Sequence, residues 1–137
     1  MNYDELYLQE AIEDAELANV KKINAIEFRK KMIDQFIDFS KHQAHFEYSR
    51  YFENIKDCDV MYGNSNCVQL LKKKNLKGNF YLVTEESISA LVLKNWSEVI
   101  LILENIPNMN VYIVDDKFSF IISVTVEDNM VYSGIQL

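Results

Sequence analysis

Two histidines and two cysteines are the residues of this 137-residue chain whose chemistry is most versatile. His42 and His45 are three residues apart in a segment predicted to be helical, with Asp38 and Glu47 nearby. Imidazole and carboxylate groups can bind metal ions and can act as general acids and bases. Three potential ligands on one helix seldom complete a coordination shell, and no other His or Cys is paired with them, so the pattern favours a solvated helical face over a metal site. A small enzyme that uses both histidines is our third hypothesis for function.

Other catalytic patterns are missing from the sequence. Cys58 and Cys67 are too far apart for a Cys-x-x-Cys pair and have no neighbouring histidine, which indicates free, reduced thiols. There is no Gly-x-Ser-x-Gly elbow for a serine nucleophile, and the three glycines are too widely separated to form a phosphate-binding loop. The sequence therefore predicts a protein that is not an enzyme, with no cofactor and no metal.

Charge is distributed unevenly along the chain, whose net charge is −7. Residues 1–20 carry −6, residues 21–77 carry +5 and residues 78–137 carry −6. The one basic cluster is Lys72-Lys73-Lys74 with Lys77, and it is typical of a solvated helix C-terminus, where lysines favourably meet the helix dipole. An acidic chain is a poor candidate for general nucleic-acid binding and better suits a basic partner.

Three acidic pairs lie in or beside predicted strand connections of the C-terminal region. A solvated turn explains each pair alone, but together they give this region a field of one sign that would speed encounter with a cationic protein. These pairs, with two further acids of the predicted helix between them, are Glu85-Glu86, Asp115-Asp116, Glu127-Asp128, Glu98 and Glu104.

Residues 78–137 are predicted to form an antiparallel sheet with one helix. Asn95 and Glu98 have the spacing of a capping box, and Pro107 ends the helix that follows. Period-two alternation from Phe118 to Val126 predicts one core face and a second, half-polar face. The predicted strands are residues 80–83, 88–93, 111–114, 118–126 and 130–135, although residues 88–93 could instead open a helix.

Residues 1–77 are predicted to be mainly helical, because no glycine precedes Gly63 and no proline precedes Pro107. A moderate helix is expected over residues 3–17, a long or kinked helix from residue 24 to about residue 54, a turn at residues 63–66 and a short helix over residues 67–74. The predicted fold class is thus α+β in one domain, residues 1–137. Its N-terminal helices pack on a C-terminal antiparallel sheet of order strand-strand-helix-strand-strand-strand.

No apolar run is long enough to span a bilayer, and the acidic first 20 residues do not fit a secretory signal. We therefore expect a cytoplasmic protein with no membrane or nucleic-acid partner.

Three segments resemble small bacterial immunity proteins that accompany secreted polymorphic or contact-dependent toxins. The segments are GNFYLVT at residues 78–84, NWSEVI at 95–100 and VYIVDDKFSFI at 111–121, within a resembling region of residues 78–135. In similar sequences a short polar element, often His-His-Asp, follows the aromatic-rich strand. Here Val126-Glu127-Asp128 stands in that place and lacks both histidines.

The resemblance implies a binding protein that covers a toxin's active site in the producing cell and performs no catalysis. The cognate toxin would be a basic protein, such as a nuclease, drawn to the acidic pairs and held by a few aromatic anchors, for which Tyr81, Tyr112 and Tyr132 are candidates. The alternative is a non-enzymatic regulatory or scaffold module, encoded on a mobile element, that forms a homodimer through its long helix.

Overall fold

The computed structural model describes residues 1–40, 50–62 and 66–137. Within these residues the chain forms four α-helices, one 3₁₀ helix at Tyr51–Asn54 and seven strands. The helices are α1 (Tyr3–Asp14), α2 (Ala25–Phe36), α3 (Cys67–Lys72) and α4 (Trp96–Asn105). The strands are β1 (Lys21–Asn24), β2 (Asp59–Tyr62), β3 (Phe80–Thr84), β4 (Ser89–Leu93), β5 (Val111–Asp115), β6 (Ile121–Val124) and β7 (Asn129–Ser133).

The seven strands form one antiparallel sheet of order β1-β4-β3-β5-β6-β7-β2. This confirms the α+β class and the predicted order of strand, strand, helix and three strands from β3 to β7. Residues 88–93, left open between strand and helix, contain the strand β4. The N-terminal part adds two strands that the sequence analysis did not predict, and they form the two edges of the sheet.

Both faces of the sheet are buried, so the prediction that only one face belongs to the core is wrong, although the second face does carry buried polar residues such as Ser123. On one face, Leu82, Ile113 and Ile122 pack under α1, α3 and α4. On the other face, Val83 and Val114 alternate with them and pack under α2 and the segment around the 3₁₀ helix. The small and polar residues of that face are also buried, because α2 and the segment around the 3₁₀ helix pack over it.

The predicted strand 118–126 is too long at both ends. The strand β6 spans only Ile121–Val124, and Phe118 has a left-handed backbone with φ of 53°. Its ring joins the aromatic cluster of Phe28 and Tyr81 on the α2 face, opposite to the face that period two predicted. Val126 lies beyond the strand and is 44% exposed.

The long helix predicted from residue 24 to about residue 54 is also wrong. The helix α2 begins near Asn24 as predicted, and Asn24 is its N-cap, but the helix ends at Phe36, and Ile37 is extended. Ile37 forms an antiparallel bridge with Ile55, supported by the hydrogen bond from Lys56 N to Phe36 O at 2.8 Å. Buried Phe28, Met32 and Phe36 are held against the sheet, so the inner face of α2 is part of the core. A dimer through the predicted long helix loses its structural basis.

The predicted helix after Asn95 is confirmed as α4. The Asn95 side chain accepts a hydrogen bond from Glu98 N, and Glu98 Oε1 accepts one from Lys94 N, which together fix the first turn. The helix ends at Asn105, two residues before Pro107. Its buried side carries Trp96, whose ring packs edge to face on Phe80 of β3 at 5.2 Å between ring centroids.

Candidate functional site

The connection between β3 and β4 is fixed to the first turn of α1. Asp4 Oδ2 accepts hydrogen bonds from Thr84 Oγ1 at 2.6 Å and from Glu86 N at 3.0 Å. Within the connection, Ser87 N donates to Thr84 Oγ1 at 3.1 Å. Asn2, the N-cap of α1, donates from Nδ2 to Glu86 O at 2.9 Å. The connection that carries Glu85 and Glu86 is therefore held in one conformation by a neighbouring helix.

A second carboxylate of α1 ties the same helix turn to the sheet. Glu5 accepts hydrogen bonds from Ser89 N and Ser89 Oγ, both at 2.8 Å, at the start of β4. Its Oε2 also lies 3.7 Å from Lys22 Nζ on the edge strand β1. Two acidic residues of one helix turn thus position both sides of the β3–β4 hairpin.

Glu85 is half-buried and its side chain points back into the protein. The Tyr112 hydroxyl donates a hydrogen bond to Glu85 Oε1 and accepts one from Phe52 N at 3.2 Å. Burial raises the pKa of Glu85 above its ordinary value, while the Tyr112 hydrogen bond and the charge of Arg50 act in the opposite direction. Burial, strengthened by the Glu85 charge, raises the pKa of Tyr112 as well, so the phenol stays protonated.

Around this connection lies an acidic cleft of about 330 Å³. Its lining includes the acidic residues Asp4, Glu85 and Glu86 and one arginine, Arg50. We call this surface the acidic cleft; it is lined by Asp4, Arg50, Glu85, Glu86, Asn108, Met109, Asn110 and Val126. Asp4 and Arg50 were missed by the sequence analysis, because nothing local links residues so distant in the chain to the β3–β4 connection. The surplus of carboxylates suits a cationic side chain.

The register of the sheet divides the predicted contact residues between its two ends. Thr84 pairs with Val111, and Val111 pairs with Val124, so the connections carrying Glu85-Glu86 and Glu127-Asp128 leave the same end. Phe80 pairs with Asp115, which places Asp115 and Asp116 at the opposite end. Glu98 lies there too, because α4 follows the end of β4 that pairs with Phe80. The acidic pairs do not form one surface.

Several predicted contact residues are occupied inside the fold. Asp115 is only 7% exposed, and its carboxylate accepts hydrogen bonds from Ser119 N at 2.7 Å, Phe120 N at 2.9 Å and the Ser119 hydroxyl. Tyr112 and Tyr132 are buried in the two cores, so neither side chain presents a surface to a partner. Asp116 is exposed and stays available.

His42 and His45, with their predicted helical face, lie outside the described residues, and so does most of the turn predicted at residues 63–66. Across residues 1–40, 50–62 and 66–137, no group of three or more His, Cys, Asp or Glu side chains could hold a metal ion. The same residues include no helix long and apolar enough to cross a bilayer.

Both cysteines are free thiols in this structure. Cys67 begins α3 and is buried, with Sγ donating to Asp128 O at 3.0 Å. Burial is the main cause that raises the pKa of its thiol to about 12, and Asp128 adds to it. Because the thiolate is the reactive form, this environment suits a structural cysteine and not a nucleophile.

Comparison of the chain with models of protein families, with curated proteins and with solved structures finds no match. Any argument for function therefore starts from the residues and geometry of the cleft.

Proposed function

We propose that this protein is an immunity protein that binds and neutralises a cognate secreted toxin, and that the acidic cleft is where the basic toxin docks. The observation that carries the proposal is the fixing of the β3–β4 connection by Asp4 and Asn2. A surface held rigid before binding loses little conformational entropy when a partner docks, which favours tight inhibition. The resemblance of residues 78–135 to immunity proteins supports the same class.

Charge and geometry support a cationic partner. Glu86 and Glu127 are exposed beside the cleft, and with Asp4 they outnumber the single Arg50. A lysine or arginine of the toxin that enters the cleft would meet carboxylates whose positions are already set. Exposed acids nearby would speed encounter, and the effect would weaken with added salt.

Co-expression with the product of the adjacent gene tests the proposal. We expect growth rescue, a complex that survives purification, and an association rate that falls as salt is raised. Glu86→Lys with Glu127→Lys should weaken the complex by at least about tenfold, because two favourable charges become repulsive. Absence of rescue and of a complex with any neighbouring toxin would refute the proposed class.

A matched control separates the cleft from net charge. Asp14→Lys with Asp34→Lys changes the net charge by the same amount at exposed positions in the last turns of α1 and α2. This variant should bind the toxin within about twofold of wild type, since it leaves the cleft unchanged. Equal weakening by both variants would mean that overall charge, and not the cleft, attracts the toxin.

A further inference from the structure

The lysine cluster that the proposed function does not use lies along α3 and the segment that follows it, residues 73–79. Three adjoining cavities of about 540, 300 and 320 Å³ follow residues 70–79. The first two share Lys73 and Lys74, and the first and third share Asn75, Trp96 and Ser97. We call these three cavities together the lysine groove.

The floor of the lysine groove is apolar. Trp96, Ile100 and Leu101 of α4 line its largest cavity, and Met61, Leu71 and Met130 line the neighbouring one. The indole is anchored from behind, because Trp96 Nε1 donates to Leu71 O at 3.0 Å, and this bond also joins α4 to α3. Leu101 is 36% exposed at the surface of α4, unlike the buried residues of that helix.

The rim of the lysine groove is basic on a chain whose net charge is −7. Five lysines line the three cavities, namely Lys72, Lys73, Lys74, Lys77 and Lys94. Among the residues that the structure describes, the only acidic one lining them is Glu104, which lies 3.5 Å from Lys72 Nζ in an exposed pair that contributes little. Clustering of like charges around an apolar groove is unfavourable for the protein alone, so a ligand that supplies carboxylates would relieve it.

We propose that the lysine groove binds an acidic, amphipathic peptide segment of a partner protein, with apolar side chains entering the cavities and carboxylates meeting the lysines. The three cavities in a row suit successive side chains of one extended or helical segment. A nucleic acid fits less well, because Trp96 is 5% exposed and offers no open ring face for a base, and the rim contains no arginine. A bilayer fits less well because the apolar floor is recessed, with Trp96 5%, Leu71 0% and Met130 1% exposed.

Trp96 makes the test direct, because it is the only tryptophan and lines two of the cavities. The probe is a synthetic peptide of about three helical turns with leucines on one face and glutamates on the other. We expect a saturable change in Trp96 fluorescence that weakens with salt. A peptide with glutamine in place of every glutamate should bind at least about tenfold more weakly, and so should one with serine in place of every leucine.

Matched variants locate the binding. Lys72→Glu with Lys73→Glu should weaken the peptide at least about tenfold, whereas Lys30→Glu with Lys31→Glu, which makes the same charge change on α2, should leave binding within about twofold of wild type. Circular dichroism would check that all variants fold. Leu101→Ser should weaken the glutamate–leucine peptide without altering the fold, because Leu101 is already partly exposed.

Four results would overturn the proposal. Two concern the peptides: no saturable change in Trp96 fluorescence with the glutamate–leucine peptide, or equal affinity for the peptide with glutamine in place of glutamate. The other two are equal weakening of peptide binding by both lysine double variants, and a fluorescence change that anionic vesicles or palmitate produce but the peptide does not. A fluorescence change that depends on protein concentration alone would assign the groove to a second copy of the chain and would overturn it as well. None of these outcomes depends on toxin binding, which uses the acidic cleft.

Discussion

Replacing Asp115 separates the acids that stabilise the fold from those that stay exposed. Its carboxylate accepts hydrogen bonds from Ser119 N, Ser119 Oγ and Phe120 N in the β5–β6 turn. Ser119 is exposed, so water can replace the carboxylate for two of these donors, but Phe120 is 8% exposed and its amide would stay unpaired. A hydrogen bond to a charged group contributes about 1.5–3 kcal/mol, and an unpaired buried donor costs about 1–3 kcal/mol. We therefore expect Asp115→Ala to lower the free energy of unfolding by about 2–4 kcal/mol, less than three full hydrogen bonds.

The neighbouring acid provides the control, because Asp116→Ala removes the same charge from an exposed side chain. We expect it to change the free energy of unfolding by less than about 0.5 kcal/mol. Urea denaturation followed by Trp96 fluorescence and far-UV circular dichroism would measure both. Trp96 is a suitable reporter because its ring packs on Phe80, which pairs with Asp115 in the sheet.

The same difference should appear in thermal melts, with Asp115→Ala about 10 °C below Asp116→Ala at a few degrees per kcal/mol. Asp115→Asn keeps one carbonyl acceptor and should fall between the two. Equal stability of the Asp115 and Asp116 alanine variants would refute the reasoning, since it would mean that the buried carboxylate does not hold the turn.

Three further predictions follow from burial and backbone geometry. With the pKa of Cys67 raised to about 12, iodoacetamide at about pH 8 should label Cys58 and spare Cys67 in peptide mass spectrometry; equal labelling would contradict this. Burial raises the pKa of Glu85, so the folded state binds the Glu85 proton more tightly than the unfolded state does. As the pH rises through and above the ordinary glutamate range, the free energy of unfolding of wild type should therefore fall relative to that of Glu85→Gln. Urea denaturation over a pH series would measure this, and the same pH dependence in both proteins would contradict it. Gly134 has φ of +83°, and a Cβ there would lie 2.2 Å from Ser119 O. Gly134→Ala should therefore lower the free energy of unfolding by about 2 kcal/mol or more. An unchanged urea denaturation curve would contradict this.

The elements that the sequence predicted well are those specified by local chemistry. Asn95 caps its helix in the structure as its position before an apolar run indicated, and α2 begins directly after Asn24, near the predicted start. The β3–β4 hairpin and the strands β5 and β7 follow runs of aliphatic and aromatic residues broken by polar connections. In each case the signal lies within a few residues of the structure it determines.

The edge strands were missed because their stability is not local. The sequences of β1 and β2 are KKIN and DVMY, four residues each and mostly exposed, and neither shows a clear period. Lys22 pairs with Leu91, and Val60 pairs with Val131, partners about 70 residues away in both cases. These segments become strands only by pairing with the edge strands of the assembled sheet, and a single sequence does not show that pairing.

The end of α2 was missed for a related reason. Phe36 and Ile37 both belong to an apolar stripe that could continue the helix, but Ile37 instead forms the bridge with Ile55, and the helix ends before it. That bridge depends on a segment that returns to the sheet after residue 50. Helical periodicity shows that a segment can form a helix, but not where a tertiary contact ends it.

The division of the acidic pairs between two ends was already implicit in the predicted meander. Successive connections of an antiparallel meander leave opposite ends of the sheet, so the connection with Asp115 and Asp116 and the one with Glu127 and Asp128 must separate. The strand β6, which joins the two connections, has four residues and separates them by about 13 Å at about 3.3 Å per residue.

That separation exceeds the Debye length of about 8 Å at physiological ionic strength, so the two ends cannot act together on one charge of a partner. Exposed Asp116 lies at its own end, where its backbone amide donates to Asn79 O at 3.1 Å. At the other end, Asp4 of α1 joins Glu85 and Glu86 in place of Asp115 and Asp116, and the N-terminal charge that the sequence analysis treated separately becomes part of the acidic cleft. Under the proposed function, a basic partner would therefore meet a surface built from both halves of the chain.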